Sequence, residues 1–65
     1  MLTMLLEEHI SVKLRQDRNM SGFLVAFDEH MNLMLTDAVE TTPEGKTQLQ
    51  TVYVRGDQVV FVTAD

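Results

Sequence analysis

The chain has no cysteine, so disulfides and thiolate metal sites are excluded. Its two histidines, His9 and His30, stand far apart without regular ligand spacing, which argues against a structural zinc site and leaves no metal ligand set. Cations are scarce: Lys13, Arg15, Arg18, Lys46 and Arg55 face ten acidic side chains, for a formal net charge of −5. The broad basic footprint that duplex nucleic acid demands is therefore missing. Long apolar runs are missing too. No stretch approaches the ~20 residues that span a bilayer, and Met1 to Leu6 has neither the basic flank nor the length of a secretion signal. These absences predict a soluble intracellular protein, cytoplasmic or nuclear, with no membrane partner.

At 65 residues the chain is one domain, and a marginal one. A domain of about 60 residues buries only about 60% of its unfolded surface and usually needs a staple. With disulfides and metal excluded, the remaining staple is self-association, which hides strand edges and apolar surface.

What is present is alternation. Leu2, Leu5 and Leu6 mark one side of a short helix or extension over 1–8, with Glu7 and Glu8 unfavourably placed at its end. From Ile10 the period becomes two: Ile10, Val12 and Leu14 oppose Ser11, Lys13 and Arg15. Gln16 to Asn19 reads as a turn, and Met20 to Phe27 as a second strand in which Gly22 marks a bend or a close approach. Phe23 and Phe27 are expected in the core. Met31 to Val39 reads as a third strand, Leu49 to Val54 as a fourth and Val59 to Val62 as a fifth. The main break lies at Thr41 to Lys46, around Pro43 and Gly45. The sum is an all-β fold: a small, strongly bent, five-stranded antiparallel barrel of SH3-like or OB-like type. Its last strand, apolar and nearly uncharged, would aggregate as a free edge. Pairing with a different edge of an identical neighbour covers it and repeats until a ring closes.

Two loops carry the chemistry. Asp28-Glu29-His30-Met31-Asn32 and Arg55-Gly56-Asp57 each sit between alternating stretches. Together they offer an imidazole, an amide and a guanidinium, the groups that stack on an unstacked base and read its edge. Single-stranded RNA is the ligand class these groups fit. Met20, Met31 and Met34 suit core filling, while Tyr53 is ambiguous among core, subunit contact and surface.

The run Gly22-x4-Phe27-Asp28-x-His30-Met31-Asn32-x2-Leu35, followed by Val54-Arg55-Gly56-Asp57-x-Val59, resembles the two motifs of the Sm and Sm-like (LSm) proteins. The first motif spans 10–39 and the second 47–63 of a single Sm-like domain, 1–65. Arg55-Gly56 stands where the bacterial Hfq branch has Lys-His, so the resemblance is to the archaeal and eukaryotic type. It implies rings, commonly of about six or seven identical or related chains, joined through the fourth strand of one subunit and the fifth of the next. It also implies binding of uridine-rich single-stranded RNA at the central pore, as a scaffold or chaperone in RNA processing, splicing or decay, with no cofactor.

Carried over residue by residue, His30 would stack on one side of a base and Arg55 on the other. Asn32 would read the base edge, Asp28 would orient Asn32, Gly56 would allow the tight turn, and the backbone near Asp57 would complete the contact. Met31 joins the RNA-binding set by its place between His30 and Asn32. A ring scaffold for proteins, with little RNA affinity, is the competing reading, motivated by the acidic balance. An enzyme is not expected, because no Ser or Cys nucleophile accompanies Asp28 and His30.

Overall fold

The structure, a computed structural model, describes residues 5–64. Six strands run β1 (His9–Leu14), β2 (Arg18–Phe27), β3 (Leu33–Thr42), β4 (Gly45–Gln48), β5 (Thr51–Val54) and β6 (Val59–Ala64). All pairings are antiparallel; the spatial order is β4-β3-β2-β1-β6, and β5 pairs with β3 beside β4. The short helix expected over 1–8 falls partly outside the described residues. Within them, Leu5 and Leu6 pack against the core, and Glu7 N–H donates to Leu24 O at 2.7 Å.

The alternation of β1 is realised directly: Ile10, Val12 and Leu14 are buried while the residues between them are not. They meet Met20, Leu24, Leu33, Leu35, Ala38 and Val54 in one cluster. Burying each large aliphatic side chain contributes about 1.5–3 kcal/mol, so this cluster is the main cohesive term.

Gly22 permits the bend. A Cβ there would stand 2.9 Å from the Thr36 carbonyl oxygen and 3.2 Å from Ala38 Cα. The β2–β3 register shifts across it, between Ser21 and Phe23, and again between Leu24 and Ala26. A close approach of this kind, with bulges, curls a sheet over its own core.

The bend also corrects two expectations. Phe23 is not core: Met20, Gly22 and Leu24 take the inner face of β2, leaving Phe23 40% exposed and edge-on to the His9 ring at 5.0 Å. The fourth strand, expected over Leu49 to Val54, is shorter, Thr51–Val54, and a further strand, Gly45–Gln48, forms where the turn and its flank were expected. Asp37 in β3 adopts φ 51°, which shifts the inward face from Leu35 to Ala38. Its N–H donates to Gln50 O and Leu49 N–H donates to Ala38 O, both at 2.7 Å. The strand facing this kink therefore breaks at Leu49-Gln50 into β4 and β5. The turn near Pro43 narrows to Pro43-Glu44, since β3 runs on to Thr42 and β4 starts at Gly45.

Candidate nucleic-acid interface

The β2–β3 loop is built around one carboxylate. Asp28 Oδ1 accepts from His30 N–H at 2.9 Å and from Asn32 N–H at 3.0 Å, and its Oδ2 accepts from Asn32 Nδ2 at 2.9 Å. The loop backbone closes on itself: Asp28 N–H donates to Asn32 O, and Met31 N–H to Asp28 O, each at 3.1 Å. Asp side chains favour this local bonding, and it fixes the loop without any core contact. Three donors on the ionised form hold the Asp28 carboxyl below its ordinary 3.8, with the Asn32 amide the largest cause.

A pH dependence follows from that direction. The contribution of Asp28 is fully present above 3.8 and is lost as pH falls through the lowered folded value. Wild type should therefore exceed Asp28→Asn in urea midpoint at neutral pH, and the two should converge in acid below 3.8. A gap that persists at pH about 2 would remove the carboxylate from this role.

The second loop is one turn of 3-10 helix, Gly56–Gln58, entered from Arg55. Arg55 Nη2 donates to Asp57 Oδ2 at 3.0 Å, and both side chains stand mostly in solvent. The two loops are tied together by Asn32: its Oδ1 accepts from Gly56 N–H at 2.6 Å. Sequence reasoning missed this tie, because nothing local pairs positions 24 residues apart.

It also missed why residue 56 is glycine. Gly56 does not have the positive φ of a left-handed turn residue, such as the +140° of Gly45. A Cβ on Gly56 would instead fall on the carbonyl oxygen of His30, a backbone atom. Gly56→Ala should therefore prise the loops apart and cost about 3 kcal/mol, the upper range for overpacking. Equal urea midpoints for wild type and variant would contradict the close approach.

His30, Asn32, Arg55, Gly56 and Asp57 line one open cleft of about 420 Å³, within the ~300–1,000 Å³ of small-ligand sites. The side chains of His30 and Arg55 are 75% and 74% exposed, so both remain available to a ligand. Asp28 stands behind Asn32 rather than in the cleft. Met31 does not line it either. With φ 64° it ends the loop, which is why the third strand starts at Leu33 instead of Met31. Among the described residues no cluster of His, Asp or Glu could hold a metal ion, and no helix is long and apolar enough to cross a membrane.

The Asn32 amide cannot turn over. A flip would set Nδ2 against the Gly56 N–H and Oδ1 against the Asp28 carboxylate, losing two hydrogen bonds. Each amide atom keeps one further position, an N–H and a lone pair, so the cleft presents a donor beside an acceptor in fixed order.

Comparison with known proteins agrees with this geometry. A family profile described as "LSM domain" matches residues 1–64. The chain is 40% identical to the Sm-like protein LSM3B of Arabidopsis thaliana, over 89% of this chain and 74% of that one. It is 35% identical to a probable U6 snRNA-associated Sm-like protein LSm3 of Dictyostelium discoideum, with the same coverage. Among solved structures, a heptameric archaeal Sm protein superposes with a TM-score of 0.91 at 34% identity, covering 98% of this chain and 94% of that one. With the profile spanning both loops and the sheet between them, this chain belongs to the LSM (Sm-like) family.

Proposed function

We propose that the chain is a single ring-forming domain whose cleft binds uridine-rich single-stranded RNA, one base per subunit, as a scaffold in RNA processing within the cell. The observation that carries this is the locked Asn32 amide between an exposed imidazole and an exposed guanidinium. Uracil offers an N3–H donor beside the O4 acceptor, which matches the free N–H and lone pair of Asn32. Cytosine and adenine reverse that order and would set donor against donor. His30 and Arg55 supply the stacking planes, Asp28 orients the reader, and Asp57 holds Arg55.

Ring assembly is supported by the free edges. Among the described residues β6 pairs only with β1, and β5 only with β3. Val60 and Phe61 on β6 are more than half exposed, as is Tyr53 on β5. Joining β6 of one copy to β5 of the next would satisfy both edges and bring Tyr53, Val60 and Phe61 near the subunit contact. The heptameric archaeal relative supports the ring, and the U6 snRNA-associated relative supports a role with RNA.

Titrating labelled oligo-U, oligo-C and oligo-A at low salt tests the reading. A preference for oligo-U of more than about tenfold per mismatched base is expected. Equal and negligible binding of all three would favour the other reading, a ring that organises proteins, which the net charge of −5 would suit.

A further inference from the structure

Arg15 lies at the end of β1, far from the cleft in sequence, yet it grips the second loop twice. Its backbone N–H donates to Gln58 O at 3.0 Å, and its side-chain Nε donates to Asp57 O at 2.9 Å, across 42 positions. The turn's own bonds run from Gln58 N–H to Arg55 O and from Val59 N–H to Gly56 O. They use neither the Asp57 carbonyl nor the Gly56 N–H. Those two groups are taken from outside: Gly56 N–H by Asn32, Asp57 carbonyl by Arg15.

We infer that Arg15 is a positioning residue for the RNA site: it pins the Arg55–Asp57 turn at a different backbone group from the one Asn32 holds, and so sets the plane of the Arg55 guanidinium over the cleft. The inference rests on the RNA reading proposed above. The link to Arg55 is Asp57, whose carbonyl is held by Arg15 and whose carboxylate holds Arg55 Nη2 at 3.0 Å. Release of the carbonyl frees Asp57 to rotate, and its carboxylate contact with Arg55 goes with it. The hydrogen bond is charge-assisted and comes from Nε, which stands one atom nearer the backbone than a lysine ammonium.

A direct phosphate contact by Arg15 would also weaken RNA binding, so affinity alone does not decide. Salt dependence does, because each phosphate contact to a single strand contributes about 0.7 to the log–log slope. In Arg15→Gln, oligo-U affinity should fall about five- to tenfold, as for one lost charged hydrogen bond, while the salt slope and the melting temperature of the ring stay at wild-type values. Amide exchange at Gly56, followed by NMR in the RNA-free protein, should quicken about tenfold as the turn loosens. Arg15→Lys, which keeps the charge but lacks Nε, should behave like Arg15→Gln in both measurements.

Unchanged Gly56 exchange, a slope reduced by about 0.7 per subunit, or full recovery in Arg15→Lys would each overturn the inference. A wild type that ignores oligo-U while Arg15→Gln still quickens Gly56 exchange would overturn the RNA reading instead, and leave the hold of Arg15 on the turn standing.

Discussion

Replacing Arg55 with alanine should lower affinity for oligo-U by more than about 100-fold and leave the ring whole. The guanidinium bonds Asp57 at 3.0 Å, and the side chain is 74% exposed, so the core does not depend on its charge. Exposed ion pairs of this kind contribute about 0–1 kcal/mol to folding. For RNA the same group is a stacking plane and the cation nearest the base, and stacking is worth about 1–3 kcal/mol per base. The loss repeats in every subunit that holds a base, so two occupied clefts already account for about two orders of magnitude. Anisotropy titration beside size-exclusion chromatography reads both quantities. A variant that falls apart would make Arg55 structural, and one that binds normally would remove it from the site.

Phe61→Asp should have the opposite signature: a folded subunit that no longer assembles. Phe61 is 54% exposed in the isolated chain and sits opposite Lys13 in the β1–β6 pairing. A carboxylate there gains a cross-strand cation, so the single barrel tolerates it. In a ring the same carboxylate would be buried against the neighbouring β5 edge, at a cost of several kcal/mol per interface. Native mass spectrometry should show monomers, and oligo-U affinity should fall by at least about 100-fold through lost avidity. A monomer that keeps full RNA affinity would contradict the linkage between assembly and binding.

Much of this was legible along the chain because the relevant patterns are local. Ile10, Val12 and Leu14 alternate with polar residues, and that alternation is what packs. Asp28, His30 and Asn32 lie within one five-residue loop, and Asp28 accepts a hydrogen bond from the Asn32 amide. What escaped depends on the bend. A period-two count that starts on Phe23 places Phe23 and Phe27 inside, but the inward set is Met20, Gly22 and Leu24; only beyond the register shift after Leu24 does Phe27 pack, partly buried, against the core. The left-handed Asp37 and the break it forces at Leu49-Gln50 have no signal in composition, since aspartate is common in ordinary turns. The ties of Asn32 to Gly56 and of Arg15 to Asp57 join segments distant in sequence, and only closure of the barrel brings them together.

The absence of other staples makes assembly and ligand binding parts of one design. With no cysteine, and nine buried hydrophobic residues among those described, such a subunit would gain stability by covering its edges. Each cleft alone offers one amide and two stacking planes to one base, which is weak. On the proposed reading, repetition of the cleft around a ring adds one such contact per subunit, each with the Arg55 cation beside it.

A crystal structure of the assembled protein with a short oligouridylate tests the central claim most directly. The account predicts one uracil per subunit between the His30 ring and the Arg55 guanidinium, its N3–H and O4 facing Oδ1 and Nδ2 of Asn32. Bases ordered elsewhere on the ring, with Asn32 still bonded only to Asp28 and Gly56, would contradict it.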